Sequence, residues 1–129
     1  TNKKFIRINA RKFFIMGKTK PPDKESTSKF FVADAKEFME RGWNLILFRC
    51  PSSGWLKAGE DKFLPRTEYW DTLVNATNAK AYHYEDYEQL KHLECPEWSH
   101  LSAPDARYFT TELVKIMKSD GALSNSKSN

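Results

Sequence analysis

Glu97 and His100 are the side chains of this sequence whose types and spacing point most directly to chemistry. They stand three positions apart in the stretch Pro-Glu-Trp-Ser-His-Leu. A carboxylate close to a histidine can hold the imidazole in one orientation, and a histidine held in this way can act as a general base near neutral pH. The pair therefore predicts a proton-transfer site.

A capped helix is predicted directly after this pair. Ser102 is a good N-cap, Pro104 falls in the first turn, and Asp105 stands at the capping-box spacing. Apolar and small residues then recur at three- and four-residue steps, which predicts one buried stripe made of Ala106, Phe109, Thr110, Leu113, Ile116 and Met117. A helix anchored in this way would hold His100 just before its start.

The elements further upstream predict a parallel sheet. A helix from Phe30 to Arg41 ends at Gly42, and four consecutive apolar residues, 45–48, then predict a strand buried on both faces. A second strand is predicted at 79–84, with helices after Thr67 and after Asp86. The long segment from Pro51 to Pro65 is predicted to be a loop. Because this loop and residues 94–101 both follow strands, we expect them at the same sheet edge, where sites in open α/β folds lie.

The order after residue 30 is α–β–α–β–α–α, which indicates the α/β class. Three segments are predicted. Residues 1–29 form a basic arm with a possible first strand at 12–17, residues 30–118 form the α/β domain, and residues 119–129 form a disordered tail.

The run Glu97-Trp98-Ser99-His100-Leu101, followed by Ala106, Phe109 and Thr110, resembles the last conserved block of SGNH/GDSL-type esterases and acyltransferases. That block has an Asp, two residues, a His and usually a Leu, then a helix with a small residue and an aromatic. The resemblance covers the 30–118 domain as the C-terminal half of such a protein. It implies a small three-layer, flavodoxin-like open sheet, mainly parallel and incomplete.

By this resemblance His100 takes the place of the base that activates a serine, and Glu97 takes the place of the orienting Asp. Such proteins cleave or transfer acyl groups without a cofactor, often acetyl esters on carbohydrates or lipids, and the resemblance favours an extracytoplasmic location. The blocks that would supply the nucleophilic serine and the oxyanion hole are not found in this sequence. Gly17-Lys18-Thr19 occupies the comparable place, but its flanks do not match.

Four residues on the expected functional edge are candidates for substrate binding: Trp55, Trp98, Ser52 and Ser53. The alternative for the two serines is a turn beside Gly54. The alternative for the whole domain is an inactive binding or interaction module, in which the two loop tryptophans contact a carbohydrate or a protein partner. Trp43 and Trp70 are predicted to belong to the core.

Composition bounds the remaining function classes. The chain has 129 residues, 40% of them hydrophobic and 14% aromatic, which indicates one globular domain. The net charge is +4, and seven basic residues of the arm, from Lys3 to Lys20, precede the first acidic one. No nucleic-acid motif accompanies them, so a solubilising or juxtamembrane segment is favoured and nucleic-acid binding is not. Membrane association is expected only through sequence upstream of Thr1.

The remaining histidines and the cysteines do not predict a metal site. His83 alternates with tyrosines in a strand and is predicted to be a packing residue, while His92 falls at a helix end. Cys50 and Cys95 lack zinc-ligand spacing, and the sequence leaves open whether they are bonded or thiols.

Overall fold

The computed structural model describes residues 24–123, and within that range the chain forms five α-helices and a two-stranded parallel sheet. The α/β class predicted from the sequence is confirmed. The predicted strand at 12–17 lies outside the described residues. In chain order the elements are α1 (Lys24–Glu40), β1 (Ile46–Arg49), α2 (Gly54–Phe63), α3 (Trp70–Thr77), β2 (Lys80–His83), a 3₁₀ turn (Tyr84–Asp86), α4 (Glu88–Lys91) and α5 (Ala103–Ser119).

The chain divides into two compact units. Of the described residues, the first unit contains 24–47 and Arg66–Ala81, and the second contains Phe48–Pro65 and 82–123. Between residues 24 and 123, no helix has both the length and the apolar character needed to cross a bilayer.

In the first unit, α1 packs against α3, with Ala35 and Thr77 buried. Helix α1 begins at Lys24, so the predicted start at Phe30 is six residues too late. Its end agrees with the prediction: Gly42 has a φ of 84° and its N–H donates to the Met39 carbonyl at 2.9 Å. Trp43 is 39% exposed and stacks on Phe38 with ring centroids 5.8 Å apart, so its assignment to the core is wrong.

In the second unit, α5 begins as predicted. The Ser102 hydroxyl accepts from the Asp105 N–H at 3.3 Å, which satisfies one of the unpaired donors of the first turn. Ala106 and Thr110, predicted to be inward, are exposed, so the buried stripe is narrower and repeats every four residues. The buried apolar residues of this unit are Tyr82, Tyr84, Leu90, Leu93, Cys95, Phe109, Leu113 and Met117.

Two predicted connections are wrong. The loop from Pro51 to Pro65 is short, because α2 occupies Gly54–Phe63. Asp86 does not cap a helix: it ends the 3₁₀ turn, and Tyr87 is the N-cap of α4.

The predicted tail is also ordered in its first part. Asp120 accepts a hydrogen bond from the Tyr82 hydroxyl at 2.6 Å, and the Ala122 N–H donates to the Met117 carbonyl at 2.8 Å. The folded part therefore continues past α5, while residues 124–129 lie outside the described residues.

Candidate functional site

The segment that follows β1 is in direct contact with the loop before α5, which comes after β2, the 3₁₀ turn and α4. Because β1 and β2 run in the same direction, their carboxyl ends, at Arg49 and His83, lie at one sheet edge. The Ser53 N–H donates to the Trp98 carbonyl at 2.9 Å, and the Cys95 N–H donates to the Ser53 hydroxyl at 2.8 Å. The structure thus brings residues 51–53 and the loop before α5 together, as the strand order predicts.

Glu97 and His100 form a hydrogen-bonded pair in this loop. Oε1 of Glu97 contacts Nδ1 of His100, and both side chains are more than half exposed, at 60% and 64%. The Ser99 hydroxyl donates to Oε2 of Glu97 at 2.8 Å and lies 2.9 Å from His100 Nδ1. The hydrogen bond from Ser99, followed by those from His100, lowers the pKa of the Glu97 carboxyl. The carboxylate is therefore ionised at neutral pH.

The Glu97 contact decides which ring nitrogen of His100 can act as a base. A carboxylate only accepts, so we assign the proton to Nδ1 and the lone pair to Nε2. An imidazole in this tautomer can take a proton at Nε2, and the ionised Glu97 then stabilises the resulting imidazolium.

Trp98 gives the loop its shape. Its φ of 71° lies in the left-handed region, which costs a bulky residue about 1–2 kcal/mol. Its N–H donates to the Cys95 carbonyl at 2.8 Å, closing a turn around Glu97. The indole packs on Gly54, where an added Cβ would lie 2.5 Å from Trp98 Cδ1 and 2.6 Å from Nε1. Gly54 also has a positive φ, of 54°, so glycine is required there on two counts.

The two candidate serines have structural partners. Ser52 is 7% exposed, and its hydroxyl donates to Oε2 of Glu60 at 2.5 Å. Arg49 Nη2 lies 2.5 Å from the same oxygen, and its Nη1 donates to the Cys50 carbonyl at 3.0 Å. Ser53 holds the Cys95 amide. Both serine hydroxyls therefore have structural partners, but the segment leads into α2, with Ser53 as its N-cap, instead of forming a turn. The Arg49–Glu60 ion pair, which joins β1 to α2, is a feature that the sequence interpretation missed.

Trp55 and Trp98 are both exposed, at 79% and 48%. Trp55 belongs to the first turn of α2 rather than to a loop, but it follows Gly54, on which the Trp98 indole packs. The Trp98 indole thus packs on the residue directly before Trp55, and Trp98 stands between Glu97 and His100 in the chain.

His83 and His92 stand apart from this pair in their contacts. His83 is buried, its Nδ1 accepts from the Glu85 N–H at 3.3 Å, and its ring stacks on Tyr84, so its prediction as a packing residue is confirmed. His92 is the C-cap of α4 and meets the Tyr108 ring edge-on.

The described residues do not outline a metal site. Among residues 24–123, no group of three His, Cys, Asp or Glu side chains is arranged to hold a metal ion. Both cysteines are thiols, and Cys95, which is buried, donates to the Pro51 carbonyl at 3.4 Å.

A charged cluster that the sequence interpretation also missed joins α2 to the end of β2. Lys57 Nζ lies 2.5 Å from Asp61 Oδ1 and 2.9 Å from Glu85 Oε1, and the Tyr84 hydroxyl donates to the same Glu85 oxygen at 3.2 Å. Burial lowers the pKa of Lys57, but its hydrogen bonds to Asp61 and Glu85 outweigh this and raise it overall. Burial, reinforced by the charge of Glu85, raises the pKa of Tyr84 to about 12. These groups keep their ordinary charges at neutral pH and serve the packing of the unit.

Comparison with known proteins assigns neither a family nor a function to this chain. The sequence matches no protein-family model, and searches of curated proteins and of solved structures return no similar chain.

Proposed function

We propose that this chain is the C-terminal part of an SGNH-like esterase or O-acyltransferase with a flavodoxin-like sheet, in which His100 is the general base. The observation that carries the proposal is the hydrogen bond between Glu97 and His100, on an exposed loop at the carboxyl edge of two parallel strands. A base that meets a substrate must be accessible, and a buried packing histidine such as His83 is not.

The proposed chemistry uses the two ring nitrogens for different tasks. Nδ1 keeps its proton and donates a hydrogen bond to Glu97, while Nε2 takes the hydroxyl proton of a serine as the serine oxygen attacks an acyl carbonyl. The same proton then passes to the departing alkoxide, leaving an acyl-enzyme. Water or an acceptor hydroxyl repeats the step and releases the acyl group. Acyl esters, among them esters on carbohydrates, are the proposed substrates.

The nucleophile is not assigned to a residue of this chain. Ser52 and Ser53 are held by Glu60 and by the Cys95 amide, and Ser99 lies on the Nδ1 side of the ring, opposite to the nitrogen that would act. The serine in this proposal comes from a segment outside residues 24–123.

Glutamate in place of aspartate is compatible with this role. Its side chain is one methylene longer, and the turn at Trp98 brings it into contact with Nδ1 of His100. Ser99 holds the other carboxylate oxygen, so the carboxylate has a fixed orientation.

The test is an esterase assay with p-nitrophenyl acetate, run on this chain and on a longer protein that carries it, together with labelling by a fluorophosphonate probe. We expect His100→Ala to lower both turnover and labelling by about 10³-fold or more. His92→Ala is the matched control, since it removes another exposed histidine of the same unit. Full turnover by His100→Ala would refute the proposal, and the labelled peptide would identify the nucleophile.

The second candidate function is a binding module for carbohydrate or a protein partner, favoured by the exposure of Trp55 and of Trp98, whose indole packs on the residue before Trp55. Rigid, exposed aromatic rings are common anchors in binding surfaces. Saturable binding of a sugar without turnover or probe labelling, lost in Trp55→Ala, would favour this function over the first.

A further inference from the structure

The backbone conformation of Trp98 and the absence of a side chain at Gly54 depend on each other, although the two residues are distant in the sequence. Trp98 adopts a φ of 71°, which L-residues other than Asn and Asp rarely adopt. Its indole fills the place that any side chain at position 54 would need, with Cδ1 only 2.5 Å from a Cβ built there. Its carbonyl accepts from the Ser53 N–H, directly before Gly54.

We propose that Gly54 and Trp98 form a latch that positions Glu97 against His100. Trp98 stands between the two, and its left-handed conformation turns the chain so that the carboxylate meets the imidazole. For an L-residue a negative φ is intrinsically favoured, so this turn needs an external hold. The Gly54 surface and the Ser53 N–H provide it. Trp98 is thus a positioning residue, and the kinetic consequence of the latch rests on the proposed function of His100.

The chain contains a matched control for the variant that blocks the latch. Gly121 belongs to the same unit and has a φ of 75°, but a Cβ added there would meet nothing within 4 Å. Gly54→Ala and Gly121→Ala both place an L-residue in a left-handed conformation, and only the first drives a methyl group into the indole.

The tautomer of His100, read from the ring ¹⁵N shifts of the histidine-labelled chain, reports the latch directly. We expect the Nδ1–H form in the wild type, because Glu97 accepts a hydrogen bond from that N–H group. Gly54→Ala should shift the tautomer ratio toward Nε2–H by about tenfold, since a charge-assisted hydrogen bond is lost. Gly121→Ala should not. His83, whose Nδ1 accepts from the Glu85 N–H, gives an Nε2–H reference in the same spectrum and shows that the unit is folded.

Two further variants separate the indole from the backbone. Trp98→Gly removes any penalty of the positive φ together with the aromatic anchor, and we expect it to lose the Nδ1–H form. Trp98→Phe keeps an aromatic ring on Gly54 and should retain most of it. If Trp98→Gly kept the wild-type ratio, the backbone conformation alone would hold the pair and the latch would be overturned.

Kinetics with p-nitrophenyl acetate, in whichever form of the protein turns it over, complete the test. Misplacement of the base should lower kcat of Gly54→Ala by about 10²-fold, with KM changed by no more than about twofold. An unchanged tautomer in Gly54→Ala, or an equal loss in Gly121→Ala, overturns the latch. If the tautomers behave as expected and no ester is hydrolysed, the latch stands and the proposed function fails. An Nε2–H form in the wild type overturns both.

Discussion

The end of β2 and the loop before α5 each place a histidine close to a glutamate, and the two pairs are built in opposite ways. His83 is 6% exposed, and its Nδ1 accepts a hydrogen bond from the backbone N–H of Glu85. His100 is mostly exposed, and its Nδ1 contacts the carboxylate of Glu97. In the first pair the imidazole completes the hydrogen bonding of a turn. In the second it is oriented by a charge while its ring remains accessible.

The carboxylates of Glu85 and Glu97 also differ in the groups that bind them. Glu85 is held by Lys57 and Tyr84, with the His83 ring 3.7 Å away. Glu97 is held by Ser99 and by His100 itself. Proximity of a histidine and a glutamate is therefore not sufficient for a chemical site. Nδ1 faces the carboxylate in both pairs, but it bonds to a backbone N–H in His83 and to the carboxylate itself in His100, and solvent reaches only the second ring.

The change that we expect to be greatest concerns the esterase activity proposed for His100. Glu97→Gln removes the charge that fixes the His100 tautomer, and we expect kcat for p-nitrophenyl acetate to fall by about 10²–10⁴-fold. Glu85→Gln, the corresponding change in the other pair, should leave kcat within about twofold of the wild type. Equal losses in the two variants would show that the pairs do not differ in function.

Stability should show the reverse order. His83→Ala removes a buried, stacked ring and an acceptor for the Glu85 N–H, so we expect it to lower the free energy of unfolding by about 2–4 kcal/mol. His100→Ala removes an exposed ring and should change it by less than about 0.5 kcal/mol. Urea denaturation of both variants measures the difference, and a His100→Ala loss as large as that of His83→Ala would contradict it.

A smaller effect is expected at the hydrogen bond between Cys95 and Ser53, which anchors the loop that carries His100. Ser53→Ala leaves the Cys95 N–H without its acceptor at 2.8 Å, which should cost about 1 kcal/mol. Amide hydrogen exchange should accelerate at Cys95, while the Glu85 amide, held by His83, should exchange as in the wild type. Unchanged protection at Cys95 would mean that the loop keeps its place without Ser53.

The smallest effect is the pH dependence that the Lys57–Glu85 pair adds. Burial raises the pKa of Glu85, but the Lys57 hydrogen bond and charge lower it overall from its ordinary value of 4.5. Its contribution is therefore fully present above pH 4.5 and is lost as the pH falls through the lowered value. Since both groups are partly exposed, we expect about 0.5–1 kcal/mol. Urea denaturation from pH 6 to about pH 3 should be less pH-dependent in Lys57→Met, and equal slopes would exclude the contribution.

The local part of this fold could be predicted from the sequence. The cap at Ser102, the helix end at Gly42 and a strand at the apolar run each depend on neighbouring residues, and all three are confirmed. The expected burial of that strand on both faces is wrong, because only Leu47 of β1 is buried. The exposure of Trp55 follows the prediction, although the element that carries it does not. Pro51, two serines and Gly54 are typical of a loop. This composition led to the prediction of a loop where the structure has α2.

The remaining features depend on contacts between distant residues. Nothing near Trp98 in the sequence indicates that Gly54 makes room for its indole, and nothing near Glu60 indicates its ion pair with Arg49. The aromatic character of Trp43 predicts a core residue, but its ring stacks on Phe38 and remains 39% exposed. Such outcomes are set by packing, which local propensity does not contain.

The hydrogen bond from the Tyr82 hydroxyl to Asp120 has a practical consequence for truncation and tagging. A protein shortened at the last residue of α5 would strip this acceptor from the phenol of a tyrosine that is only 2% exposed, although the composition of the segment suggests that it is dispensable. The safe position for a terminus or a fused tag is therefore beyond Leu123, whose N–H still bonds to the Met117 carbonyl.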